Sequence, residues 1–113
     1  MVSAVRTGDI WLADFGDPVG HEQGYVRPGV IVSSDGFNRS RPGLVITIPT
    51  TTTKRGWTTH VEIDTHTGLK ETSYALVEQL RATSTERLIR PIGEADPGTM
   101  NRLTRVIREL LKA

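Results

Sequence analysis

Three groups of residues in this 113-residue chain have types and spacing that can do chemistry. The first is Arg27-Pro28, at the end of the glycine-punctuated loop "GHEQGYVRP". Arginine stays charged and presents a planar fork of donors that matches phosphate or carboxylate oxygens. The proline after it biases Arg27 toward extended backbone, so it stands where a strand begins and can hold an anion at the strand's mouth. A surface arginine paired with Asp14 or Glu22 is the plainer reading of the same residue. The second group is "PTTTTKRGW", Pro49 to Trp57. Its hydroxyls, Lys54, Arg55 and Trp57 offer phosphate donors, two cations and a stacking surface, although a threonine-rich strand end is common for purely structural reasons. The third is a set of titratable and amide side chains, His21-Glu22 and Glu78-Gln79. A histidine titrates near neutrality and with a carboxylate can move a proton, or the pair is simply solvated. Glu78-Gln79 either closes a sheet edge or points into the same rim.

Much chemistry is absent from the string. There is no cysteine, which removes disulfides, zinc ribbons and a thiol nucleophile. His60 and His66 have no defensible metal-ligand spacing with carboxylates, so no metal site and no cofactor are expected. No P-loop, dinucleotide-binding glycine fingerprint or G-x-S-x-G elbow occurs. The N-terminal "MVSAVRTGDIWLADF" lacks an apolar run of signal-peptide length and nothing approaches a membrane span, so a cytoplasmic protein with no membrane partner is expected. The net charge is +1, but residues 81–113 carry seven Lys/Arg against four Asp/Glu. That excess fits either an acidic partner or the solvated face of a helix.

The elements that must position these groups are short. "GDIWLADF" reads as a strand apolar on both faces near its middle; "GVIVSS" and "LVITIP" read as buried strands, the last stopped by Pro49. "DGFNRSRPG" is a turn with one helical turn at Asp35–Asn38, "HVEID" a half-exposed strand, and "SYALVEQL" a further strand. "TSTERLIRPIGEA" holds a helical turn after Ser84 and a brief strand around Ile92. At the C-terminus Asp96 is a good N-cap and Pro97 suits the first helical position. The helix is expected to run to about Lys112, with Met100, Leu103, Ile107, Leu110 and Leu111 as its apolar stripe. Five or six short strands and a closing helix in one domain, 1–113, predict a small β-barrel with helical additions.

The order of "RTGDIWLADF", "GHEQGYVRPGVIV", "FNRS", "VITIPTTTT", "VEID", "EQLRAT", "RLIRPIG" and a closing helix resembles the MazF/PemK/Kid family of toxin ribonucleases, from about Gly8 to Leu111. The resemblance implies an SH3-like small β-barrel with a C-terminal α-helix. It further implies a homodimer that cleaves single-stranded RNA without a metal and is silenced by a cognate MazE-like antitoxin. By the same resemblance Arg27 matches the family's cleavage arginine, and the active threonine falls at Thr50 or Thr51. One branch relies instead on a histidine with an Arg-x-Asp pair. Here His21 is present, but Leu76 and Glu78 stand where that pair would be.

The reaction so implied is attack of a ribose 2′-hydroxyl on the adjacent phosphate, with Arg27 and a threonine hydroxyl steadying the phosphorane oxygens. His21, Glu22 or Glu78 would move the protons. Tyr25 and Trp57 would stack on bases, Gln23, Asn38 and Gln79 would read their edges, and Lys54, Arg55 and Arg81 would hold the backbone. The C-terminal helix and the "VITIP" strand are the expected dimer interface. Two other readings remain open: a toxin of this fold that binds DNA gyrase without catalysis, and a nucleic-acid-binding barrel that does not cut.

Overall fold

The computed structural model describes residues 5–22, 24–40 and 43–111. Seven strands form one antiparallel sheet: β1 Asp9–Asp14, β2 Val26–Ile31, β3 Leu44–Thr51, β4 His60–Ile63, β5 Ser73–Leu76, β6 Arg81–Ser84 and β7 Leu88–Glu94. A short helix α1, Asp35–Ser40, follows β2, and the long helix α2, Pro97–Leu111, closes the chain. The strand order is β4-β5-β3-β2-β1-β7, with β6 paired to β3 beside this path.

Strand β3 is the hub. Its first half, Leu44–Thr47, pairs with β6, its last residues Thr50 and Thr51 pair with β5, and Thr47–Pro49 pair with β2. Both of its edges are therefore occupied and most of its side chains are buried. Leu44 is exposed and Ile46 half-buried at its start.

The alternation of side chains along β1, β2 and β3 feeds two cores. Ile10, Val30 and Ile48 face a cluster with Val61, Ile63, Ala75, Val77 and Leu103 of α2. Trp11, Ala13, Ile31 and Val45 face a second with Phe15 and Leu88. Two covered faces explain why "DIWLAD" is apolar on both sides instead of alternating. Leu103 is fully buried and Met100, Val106 and Ile107 pack against the first cluster, whereas Leu110 and Leu111 are exposed. The helix's apolar stripe runs past the body it covers.

Two elements differ from expectation. "SYALVEQL" is not one strand: β5 stops at Leu76 and Val77–Gln79 form a 3-10 turn, closed by the Leu80 N–H on the Val77 carbonyl at 3.1 Å. The turn lets β5 pair with one end of β3 and β6 with the other. Strand β7 starts at Leu88, well before Ile92, and includes Pro91. As the terminal strand of the sheet, it tolerates a residue with no N–H.

The sheet folds over until the turn after β4 meets β7, in agreement with a small SH3-like barrel. At that seam a Cβ on Gly68 would lie 2.5 Å from the Ile92 carbonyl oxygen, and one on Gly93 would overlap the Thr67 carbonyl. Backbone packs directly on backbone there. No helix among the described residues is long and apolar enough to cross a membrane.

Candidate active site

The loop between β1 and β2 is pinched at its base. The Phe15 N–H donates to the Tyr25 carbonyl at 2.9 Å and the Tyr25 N–H to the Gly16 carbonyl at 2.7 Å. Tyr25 takes a left-handed backbone at φ 63°, a conformation costly for a residue with a Cβ. Gly24 has no room for one: it would sit 2.6 Å from Pro18 Cδ and 2.7 Å from the Gly16 carbonyl oxygen. The pinch fixes the backbone immediately before Arg27.

From there Arg27 reaches across β2. Its Nε donates to the Gly24 carbonyl at 2.7 Å and its Nη1 to the Thr50 carbonyl at 3.2 Å. Burial, then the nearby charge of Arg55, both push its pKa below the usual arginine value. It remains a cation at any physiological pH. Two like charges near one another favour an anion beside them.

The two threonines differ. Thr50 is 1% exposed and its Oγ1 donates to the Pro28 carbonyl at 2.8 Å. Thr51 Oγ1 accepts the Thr53 N–H at 3.2 Å and keeps its own proton to give. Both line, with Arg27, a cavity of about 380 Å³. Leu12, Val26, Pro28, Leu69 and Ile92 form its apolar lining, and Thr52, Lys70, Glu71, Ser73 and Arg90 its polar one. The site thus combines a fixed guanidinium, hydroxyls, two further cations and an apolar surface large enough for a base.

The remaining expected residues fall in several places. His21 and Glu22 are exposed on the loop; the His21 carbonyl accepts from Gln79 Nε2 at 3.0 Å, and Glu22 Oε1 accepts the Val19 N–H at 3.1 Å. Gln79 therefore tethers the loop to the body. Arg81 lies over the Phe15 ring at 4.5 Å; burial, against the opposing pull of Glu22, lowers its pKa. Lys54, Arg55 and Trp57 are exposed on the β3–β4 connection. Gln23 lies outside the described residues.

Two residues have other duties. The Asn38 amide exchanges hydrogen bonds with the Ser33 hydroxyl and carbonyl, which anchors α1. Glu78 accepts from Thr59 Oγ1 at 2.8 Å and contacts His60 Nε2 at 3.0 Å. Burial alone would raise its pKa, but the bonds from Thr59, its own backbone N–H and His60 outweigh that and hold it below the ordinary glutamate value. A carboxylate so engaged is a poor general base.

A family model described as the PemK-like, MazF-like toxin of type II toxin-antitoxin systems matches residues 6–111. The chain belongs to that family. Endoribonuclease EndoA of Bacillus subtilis is 35% identical to this toxin over 106 residues, 92% of the chain and 91% of EndoA. Endoribonuclease MazF9 of Mycobacterium tuberculosis is 33% identical over 110 residues, 92% and 93% of the two chains. MazF of Deinococcus radiodurans superposes with a TM-score of 0.87 at 23% identity, covering 99% of this chain and 100% of its own. A mycobacterial endoribonuclease solved in complex with its cognate antitoxin superposes at 0.80 with 26% identity, covering 96% and 95%.

Leu76, where the resemblance to one branch of the family would put an arginine, is 1% exposed and its side chain belongs to the core. Lys70, Glu71, Ser73 and Arg90 were missed by sequence reasoning. They come from two stretches far from Arg27 in the chain, and only the seam at Gly68 and Gly93 brings them alongside the threonines.

Proposed function

We propose that this toxin is an endoribonuclease that cuts single-stranded RNA at short specific sequences, without a metal ion, and so arrests translation and growth. The observation that carries the reading is the Arg27 guanidinium, fixed on the Thr50 carbonyl at 3.2 Å beside a cavity that also carries Thr51, Lys70 and Arg90. Family membership and two endoribonuclease relatives above 30% identity support it.

In this reading a ribose 2′-oxygen bonds to the neighbouring phosphorus and the P–O5′ bond breaks. The products are a 2′,3′-cyclic phosphate and a 5′-hydroxyl. Arg27 and a threonine hydroxyl of Thr50 or Thr51 hold the phosphoryl oxygens as charge grows on them, a contribution of about 10²–10³ in rate per donor. The 2′-hydroxyl proton leaves to a base and another goes to O5′. His21 on the exposed loop and Glu22 are the candidates, since Glu78 is held by His60 and Thr59.

Tyr25 and Trp57 offer stacking faces to unpaired bases, Gln23 and Gln79 hydrogen bonds to their edges, and Lys54, Arg55, Arg81, Lys70 and Arg90 charge for the backbone. The toxin acts as a homodimer in the cytoplasm. A MazE-like antitoxin holds it inactive, as the antitoxin complex of the mycobacterial relative suggests.

The test is incubation of the protein and its Arg27→Ala variant with a long single-stranded RNA in EDTA, followed by mapping of the ends. Site-specific cuts bearing 5′-hydroxyls and absent in the variant are expected. No cutting by folded wild-type protein across varied RNAs overturns the reading.

A further inference from the structure

One polar cluster among the described residues is not used by the cleavage chemistry. The His60 side chain is only 3% exposed; its Nε2 meets Glu78 Oε2 at 3.0 Å, and Glu78 Oε1 accepts from Thr59 at 2.8 Å. His60 Nδ1 is buried with no hydrogen-bond partner. The face of this buried ring carries the Trp57 ring, centroids 5.0 Å apart and planes inclined by 23°. Trp57 itself is 56% exposed, so one face is backed by the imidazole and the other is turned to solvent.

The cluster is joined along the chain to both loops of the site. Trp57 is two residues from Arg55, whose charge reaches Arg27. Glu78 adjoins Gln79, which holds the His21 carbonyl at 3.0 Å.

We propose that Trp57 is a preset stacking platform for one nucleobase of the RNA, and that His60, held by Glu78 and Thr59, is the positioning residue that keeps the ring face-out. The inference rests on the RNA-cleavage reading. An unbacked indole would be ordered only on binding, at an entropic cost; a ring already laid on a buried neighbour avoids that cost. Every base has a π-face, so the platform adds affinity more than base identity.

The test uses a 2′-O-methyl RNA oligonucleotide, which lacks the attacking hydroxyl, so that binding is read without cleavage. Binding should quench tryptophan fluorescence in the wild type, with the buried Trp11 a silent background. Trp57→Ala should lose the quench and bind about 5- to 150-fold more weakly. His60→Ala should lose most of both, and His60→Phe, which restores a ring beneath the indole, should recover the quench. Thermal melts of each variant separate a displaced platform from an unfolded chain. The proposal is overturned if Trp57→Ala binds as the wild type does, if folded His60→Ala keeps quench and affinity, or if folded His60→Phe recovers nothing. Wild type that binds with quenching but cuts no RNA removes the nuclease reading and leaves the platform. Wild type that cuts RNA yet binds without quenching does the reverse.

Discussion

Arg27 and Thr50 are tied across the β2–β3 pair in both directions. The arginine Nη1 donates to the Thr50 carbonyl at 3.2 Å, and the Thr50 hydroxyl donates to the carbonyl of Pro28, the next residue after Arg27, at 2.8 Å. A strand entrance and a strand end thereby hold one geometry before any substrate arrives. Arg27→Lys keeps the charge but loses the fork, and is expected to lower the single-turnover cleavage rate by about 10²-fold or more with circular dichroism unchanged. A rate near wild type would mean that charge alone suffices.

Thr50→Val and Thr51→Val should separate on stability. The first leaves the Pro28 carbonyl without its donor and is expected to cost about 1–3 kcal/mol in a denaturant melt. The second removes an acceptor from the exposed Thr53 amide, which water replaces, so little change is expected. The rates measured alongside assign the phosphate. A loss at Thr51 alone makes it the donor; a loss at Thr50 beyond its stability effect means it exchanges Pro28 for substrate.

Lys70 and Arg90 line the cavity beside Arg27 and should contact phosphates. Replacing either with alanine is expected to flatten the slope of log affinity against log salt by up to about 0.7 for a single strand. Titrations of the 2′-O-methyl oligonucleotide at several salt concentrations read this directly. An unchanged slope takes both residues off the strand's path.

Asp96 caps α2, its Oδ1 accepting the Thr99 N–H at 2.7 Å while its Oδ2 contacts His66 Nε2 at 2.7 Å. The Thr99 backbone bond foremost, and then His66, hold its pKa down at about 2, against 3.8 ordinarily. A depressed carboxylate stabilises the fold above its unfolded pKa and loses that contribution as pH falls through the folded one. Asp96→Asn keeps a capping oxygen and removes the charge. It should melt below the wild type at pH 6, and the gap should close between about pH 4 and pH 2. A gap independent of pH would place the effect in the cap's shape instead of its charge.

The parts of this molecule that local rules specify were readable from the string. The Asp96-Pro97 start of α2 and the doubly apolar β1 each carry their own signal within a few residues. The expected strand through "SYALVEQL" broke because its course depends on β3, whose two ends claim β5 and β6 separately. The brief strand expected around Ile92 runs from Leu88 in the structure, because the penalty for the missing N–H of Pro91 vanishes at a sheet's edge. Asn38, expected to read a base edge, also bonds Ser33 through its amide, a contact its residue type alone does not announce. His60 was weighed only as a metal ligand, while its part as the floor beneath Trp57 required knowing that both pack at the start of β4. Lys70 and Arg90 had no mark at all, because what qualifies them is the company the fold gives them.

The seam where Gly68 meets Ile92 and Thr67 meets Gly93 places two main chains against each other, at one side of the cavity. Main chain cannot be edited by a point substitution, and neither glycine can acquire a side chain without forcing the seam apart. Side-chain change at this side of the cavity is left to Lys70, Glu71 and Arg90, which flank the seam, while the main-chain frame beneath them stays fixed.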